Sequence, residues 1–195
     1  MIKTAEMLEV FQHHRGQAIV IPGRGGRLWV DISKNPNLDL PLGDPAMGGC
    51  AAFALGLALA QPERKVVVFD SEGDLQMGLG VLAMIAEQQP KNLYHFLLDN
   101  ECYATTGGQP VPNAKTIAYD AIARASGYPR THALDTLEGF AVNIEAILAA
   151  PGPVFVAMKV VPEIQNEPIA KRRKWQTRTR LQMIADLKKE LGLSA

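Results

Sequence analysis

Two oxygen-bearing side chains, Asp74 and Asn100, stand 26 residues apart, each just beyond an apolar run. A carboxylate and a side-chain amide are hard oxygen donors. Oxygen donors that leave positions for water and phosphate suit Mg²⁺, or Ca²⁺ with looser geometry. Gly73, Gly78 and Gly80 lie beside Asp74, where the lack of a Cβ lets backbone N–H groups approach a phosphate. A second stretch of the same kind is Gly23-Arg24-Gly25-Gly26-Arg27. Its glycines and two guanidinium groups can cradle an anion, although it is neither a G-x-G-x-x-G fingerprint nor a Walker loop. The chemistry these residues offer is capture of a phosphorylated ligand through a cation. No acid–base dyad accompanies them.

The elements that must position these residues follow from periodicity. Lys65–Phe69 is apolar and β-branched, as a buried parallel strand requires. Gly73-Asp74 breaks it. Met77–Gln88 carries Leu79, Leu82, Ile85 and Ala86 at helical spacing, and Pro90 ends that helix. Leu93–Leu98 is a second buried strand, ending at Asp99-Asn100. In a right-handed βαβ unit both strands finish at the same edge, where ligands of open α/β sheets bind. Asp74 and Asn100 are therefore expected together at that edge.

At these residues the chain resembles the thiamine-diphosphate enzymes, whose motif is G-D-G followed by a closing Asn. Gly73-Asp74-Leu75, Asn100 and the run Tyr103-Ala104-Thr105-Thr106-Gly107-Gly108-Gln109 carry the resemblance. It is greatest to the cofactor-binding half of sulfopyruvate and phosphonopyruvate decarboxylases and covers roughly Ala18 to Val161. Leu75 stands where the family has its second glycine, and Ser71-Glu72 where Asp-Gly is frequent. The resemblance implies thiamine diphosphate and Mg²⁺ (or Ca²⁺) as cofactors, with the metal on Asp74, Asn100 and the backbone carbonyl of Cys102. It implies cofactor contacts from Gly23, Arg24, Gly25, Gly73, Asp74, Leu75, Asn100, Cys102, Tyr103 and Ala104. Pro45-Ala46-Met47-Gly48 resembles a further family stretch. There the Pro45 carbonyl would accept from the cofactor's 4′-amino group, and the long apolar side chain of Met47 would hold the cofactor bent.

The same resemblance explains the missing acid. The glutamate that activates the cofactor lies on the family's pyrimidine-binding domain, which a chain of 195 residues holding the diphosphate half does not contain. No catalytic residue is expected here. The glutamate is expected from a pyrimidine-binding subunit of similar size in a hetero-oligomer, α2β2 or larger. The implied activity is decarboxylation of a small 2-oxo acid of the sulfopyruvate or phosphonopyruvate type. Carboligation by an acyloin- or acetolactate-type subunit, and a non-catalytic regulatory subunit, are the alternatives.

The remaining chain alternates helices and strands. Thr4–His14 reads as a helix capped by Thr4 with Met7, Leu8 and Phe11 on one face. His13-His14 ends it at the surface, where positive charge suits the helix dipole. Gln17–Pro22 is a strand, Asp31–Pro41 a loop and Cys50–Ala60 a small-residue helix. Asn113–Ser126 is a helix with Ile117, Ala121 and Ile122 inward, Leu137–Leu148 another, and Pro153–Val161 a last buried strand. The expected fold is α/β, a doubly wound, mostly parallel sheet with helices on both faces.

One domain is expected over residues 1–161, followed by a connection and helix over 162–195. Between Lys171 and Arg180 the tail holds six basic residues and Trp175 with no acid. It is read as a solvated connection into a helix Arg180–Leu191, whose Leu181, Ile184 and Leu187 form a stripe for the domain or a partner subunit. A formal net charge of zero supports neither nucleic-acid nor membrane binding. Two cysteines do not make a disulfide framework. The start is not an export signal, and no apolar run approaches a membrane span, so a cytoplasmic location is expected.

Overall fold

The computed structural model describes residues 1–41, 47–175 and 177–193, with the side chain of Ile169 outside the description. In chain order the elements are α1 (Thr4–His14), β1 (Ile19–Pro22), α2 (Trp29–Ile32), α3 (Cys50–Ala60), β2 (Val66–Ser71), α4 (Glu72–Met77), α5 (Val81–Gln88) and β3 (Leu93–Asp99). They continue with β4 (Cys102–Tyr103), β5 (Gln109–Pro110), α6 (Tyr119–Ala125), β6 (Arg130–Leu134), α7 (Leu137–Ala149), β7 (Val154–Lys159) and α8 (Arg180–Glu190). A five-stranded sheet runs in the order β1-β2-β3-β7-β6, every pairing parallel, and β4 and β5 form a small antiparallel ladder. A parallel sheet needs cover on both faces, and the residues alternate accordingly. Val66, Val68, Leu93 and Leu97 face a core built with α3, α5, α6 and α8. Val67, Phe69, Phe96 and Leu98 face a core built with α1, α2 and α7. On that second face Phe11, Trp29, Phe69, Phe96 and Phe140 form a chain of tilted and edge-on rings, the geometry that aromatic quadrupoles prefer. The doubly wound α/β architecture expected from the sequence is what the chain adopts.

Local differences have physical causes. The helix expected from Met77 opens five residues earlier, at Glu72, and is interrupted around Gly78. There the backbone of Gly48 passes so close that a Cβ on Gly78 would lie 2.6 Å from the Gly48 carbonyl oxygen. Thr4 lies inside α1 rather than capping it; Lys3 occupies the cap without a side-chain bond. The helix expected from Asn113 starts at Tyr119, after turns in which Asn113 takes a φ of 57°. Its buried residues are Tyr119 and Ala123, while Ile117, Ala121 and Ile122 are half-buried. Part of the expected loop 31–41 is structured: α2 runs through Ile32, and Pro36–Leu38 make a 3₁₀ turn. The edge strand β6 was not expected, because R-T-H-A-L holds no apolar run. In α8 the packing residues are Met183 and Leu187, whereas Leu181 is 80% exposed and Ile184 faces outward. Among the described residues no helix is long and apolar enough to cross a membrane.

Candidate cofactor site

β1, β2 and β3 end side by side, and a crevice of about 320 Å³ opens over their carboxyl ends. Its wall is made by Arg24, Gly25 and Arg27 after β1, by Met47, by Ser71, Gly73, Asp74 and Met77 after β2, and by Asn100 and Cys102–Thr106 after β3. Three segments far apart in sequence meet here because the parallel order delivers all three strand ends to one edge.

Most residues singled out from the sequence are brought together. Arg24, Gly25, Met47, Gly73, Asp74, Asn100, Cys102, Tyr103 and Ala104 all line the crevice. Gly23 lies beneath it, where a Cβ would meet the Phe69 carbonyl oxygen at 2.7 Å and Cys50 Sγ at 3.0 Å. Gly73 is required for a similar reason: its Cβ would stand 2.8 Å from the Tyr103 ring. Met47 is 58% exposed at the mouth. Leu75, from which only a backbone N–H was expected to serve, has its side chain buried in the core with α3 and α5 and is not among the residues lining the crevice. Pro45 and Ala46 lie outside the described residues.

Two carboxylates flank the crevice, and their partners differ. Asp74 Oδ1 accepts the Gly48 N–H at 2.8 Å. One oxygen of Asp74, one of Asp70 and Cys50 Sγ lie within 4.8 Å of one another. Burial, chiefly, and the two neighbouring carboxylates push the Cys50 thiol far above its ordinary range. Burial also pushes Asp74 upward. Asp70 is fully engaged: Oδ1 accepts the Ser71 N–H at 2.9 Å, and Oδ2 meets His95 Nε2 at 3.2 Å. His95 Nδ1 in turn lies 3.5 Å from the Tyr128 hydroxyl.

Glu72, first residue of α4, is the second carboxylate and was not among the residues expected in the site. It is fully buried. The Cys102 N–H donates to Glu72 Oε1 and to Asn100 Oδ1, each at 3.0 Å. Glu72 therefore sits directly against the turn that carries Asn100 and the Cys102 carbonyl. Its second oxygen, Oε2, is buried without a hydrogen-bond partner among the described residues. Burial, with the nearby Asp99 charge adding to it, pushes the carboxyl up to about 7, against the pull of the surrounding backbone N–H groups. The signal that could have found it is the departure Ser71-Glu72 itself: an acid directly after a buried strand at the ligand-binding edge of the sheet.

Beyond β3 the charges turn away from the crevice. Lys159 Nζ pairs with Asp99 at 2.7 Å and with Glu101 at 3.0 Å. Lys115 also pairs with Glu101, and the two lysines hold the Glu101 carboxyl below its usual range. Glu101 takes a φ of 66°, a left-handed turn that separates it from Asn100 and Cys102.

Set against known families, residues 29–158 match the thiamine pyrophosphate enzyme C-terminal TPP binding domain. The chain belongs to that family. The β subunit of sulfopyruvate decarboxylase from Methanothermobacter thermautotrophicus is 43% identical over 124 residues, which is 64% of this chain and 63% of that one. The phosphonopyruvate decarboxylase of Streptomyces hygroscopicus is 38% identical over 117 residues, 60% of this chain and 29% of the relative. The chain thus spans less than two thirds of either relative's length. A solved thiamin diphosphate-dependent enzyme from Mycobacterium smegmatis superposes with a TM-score of 0.71 at 19% identity, over 83% of this chain and 32% of the other. That likeness concerns the fold.

The crevice fits what a TPP-binding domain must hold. Oxygen comes from Asn100, Cys102 and Asp74 on its wall and from Glu72 buried against the same turn, the donor type that hard divalent cations take. A buried carboxylate oxygen with no partner, Glu72 Oε2, is costly unless something positive meets it. Arg24 lines the same crevice and bridges to the loop after β3, its Nη1 3.4 Å from Thr105 Oγ1.

Proposed function

We propose that the chain is the diphosphate-binding subunit of a two-chain, thiamine-diphosphate-dependent 2-oxo acid decarboxylase that works with a pyrimidine-binding partner. The observation that carries the reading is the meeting of buried Glu72 with the turn of Asn100 and Cys102, at the edge of a crevice that Arg24 also lines. The diphosphate would lie between Arg24 with the Gly25 and Gly73 backbone on its two sides. A Mg²⁺ or Ca²⁺ ion would be held by Asn100 Oδ1, the Cys102 carbonyl and a carboxylate. Glu72 suits that place better than Asp74, because Glu72 and Asn100 share the Cys102 N–H and so meet at one turn, whereas Asp74 bonds to Gly48. Asp74 then fixes the backbone beside Met47, which stands at the mouth as an apolar prop. Thiamine diphosphate, when bound, supplies the electron sink that allows a 2-oxo acid to lose CO₂.

The partner has two supports. Among the described lining residues Asp74 is the one acid, and it accepts the Gly48 N–H, so none of them offers a free carboxylate at the mouth to activate the cofactor. The outer side of α3 is apolar: Phe53 is 42% and Leu59 49% exposed and the helix holds no charge, while Met84 of the neighbouring α5 is 57% exposed. Helices that are apolar all round are normally covered, and a partner chain would cover these. Sulfopyruvate and phosphonopyruvate are the substrate type, following the activities for which the two relatives are named.

The test is calorimetric titration of thiamine diphosphate with Mg²⁺ into the chain alone and with a co-expressed pyrimidine-binding subunit, followed by CO₂ release from sulfopyruvate. Binding and turnover that require the mixture support the reading. Decarboxylation by the chain alone overturns the two-chain assignment, and absence of binding in both samples overturns the cofactor assignment.

A further inference from the structure

The tail beyond β7 lies outside the matched family region, which ends at residue 158, yet it does not leave the body of the protein. It crosses the outer side of the loop that walls the crevice after β3. The Gln165 N–H donates to the Ala104 carbonyl at 2.8 Å. Arg172 Nη1 donates to the next carbonyl, that of Thr105, at 2.7 Å. Arg172 is itself fixed, its Nε donating to the Glu167 carbonyl at 2.8 Å. Between these points Ile164 lies over Gly108, where a Cβ would stand 2.7 Å from Ile164 Cδ1. Both ends of the crossing are anchored. Glu163 pairs with Arg27 at 2.9 Å, Arg173 grips Asp31 at 2.6 and 2.8 Å, and the Arg173 guanidinium lies 4.2 Å from the Trp175 ring centre.

The loop needs such support. Between Asn100 and Pro110 only Ala104 is buried, and the loop's own ladder is the two-residue pairing of β4 with β5. Gly107 and Gly108 take φ values of 105° and 84°. Segments with few buried contacts and exposed backbone bonds open most easily. We infer that residues 163–173 form a clasp that sets the crevice wall Tyr103–Gly108, and that Arg172 is a positioning residue for a polyanionic ligand bound against that wall. The ligand half of this inference rests on the thiamine-diphosphate reading; the clasp itself does not. The basic run is thereby explained without nucleic acid or membrane: Arg172, Arg173 and Arg178 are each bonded to the body of the chain.

The test compares Arg172→Ala with Lys174→Ala, which removes the same charge from a neighbouring exposed position, and with Arg172→Lys. Amide hydrogen exchange is read over residues 103–109 without ligand, and affinity is read by calorimetry with thiamine diphosphate and Mg²⁺. Arg172→Ala is expected to quicken exchange across the loop and to weaken binding by about tenfold, the scale of one charge-assisted hydrogen bond. Lys174→Ala changes neither, and Arg172→Lys restores part of both. Ile164→Ala should quicken the same amides. Unchanged exchange in Arg172→Ala overturns the clasp. Quickened exchange with unchanged affinity overturns the positioning role. A wild-type chain that binds no thiamine diphosphate, even with its partner, overturns the functional reading, and the exchange comparison still decides the clasp.

Discussion

Removing the charge of Glu72 should change how the stability of the metal-free chain depends on pH. The carboxyl rises from an ordinary 4.5 to about 7 in the folded chain, chiefly through burial. A group that binds its proton more tightly when folded favours folding wherever that proton is on. Below about pH 4.5 it is protonated in both states and contributes no pH dependence. Between about pH 4.5 and 7 the unfolded chain gives up this proton while the folded chain still holds it, so stability falls across that window and levels off once the buried carboxyl has also ionised. At 1.36 kcal/mol per pH unit the difference amounts to about 3 kcal/mol, fully developed above pH 7. Glu72→Gln keeps the shape and does not titrate. Urea denaturation in EDTA, compared between wild type and Glu72→Gln at pH 5 and pH 8, isolates this group from the others. The variant should gain about 2.5 kcal/mol on the wild type over that range, a shift in midpoint of about a molar or more at m-values of about 1–3 kcal/mol/M. Saturating Mg²⁺ should return most of the loss to the wild type at pH 8 and none to the variant. A stability gap that does not change with pH would refute the burial argument, and a gap indifferent to Mg²⁺ would refute the ligand assignment.

Other outcomes follow from individual contacts. Arg15→Met should cost about 3–5 kcal/mol in urea denaturation, because Asp39 would keep a buried charge without the guanidinium that now meets it at 2.7 Å. A loss under 1 kcal/mol would mean that the Trp29 Nε1–H bond to Asp39, at 2.9 Å, suffices. Gly73→Ala should drive the Tyr103 ring from the wall, lowering stability by about 1–3 kcal/mol as overpacking does and weakening thiamine-diphosphate binding; unchanged affinity would remove Tyr103 from the site. Cys50, buried and held protonated by its surroundings, should resist iodoacetamide at pH 8 until urea unfolds the chain, as mass spectrometry would show. Rapid native labelling at Cys50 would contradict its packing beneath Gly23.

What the sequence allowed to be read divides along physical lines. β2, β3, α1 and α3 were legible because their apolar residues follow the period of the element that buries them. β6 was not, since an edge strand covered on few sides can be built from Arg130, Thr131 and His132. The carboxylate nearest the Asn100 turn was missed because an isolated glutamate looks like surface, and only the path of the chain puts Glu72 under that turn. The spacing to Asn100 favoured Asp74, two residues further on, which lines the same crevice but bonds to Gly48. In α8, Leu181 and Ile184 fit a helical stripe as well as Leu187 does. Which side of that helix meets the protein depends on the 3₁₀ turn at Pro36–Leu38, invisible in the helix's own sequence. The tail's arginines read as solvated for the same reason: their partners, Thr105, Asp31 and Pro36, are more than sixty residues away.

The way the two ends of the main domain meet bears on how the chain is made. Ile2 pairs with Val160, and the apolar face of α1, with Met7, Leu8 and Phe11, is buried in the core that α7 and β7 complete. Those partners are translated some 140 residues later. At ribosomal speeds of about 5–20 residues per second, α1 waits roughly 7–28 s for them. During that interval its apolar side is open to whatever else is nearby, and β1 and β2 can pair only into an unfinished sheet. Synthesis is therefore an interval in which this chain is exposed to aggregation, and co-expression with a chaperone that shields nascent apolar helices should raise the yield of soluble protein.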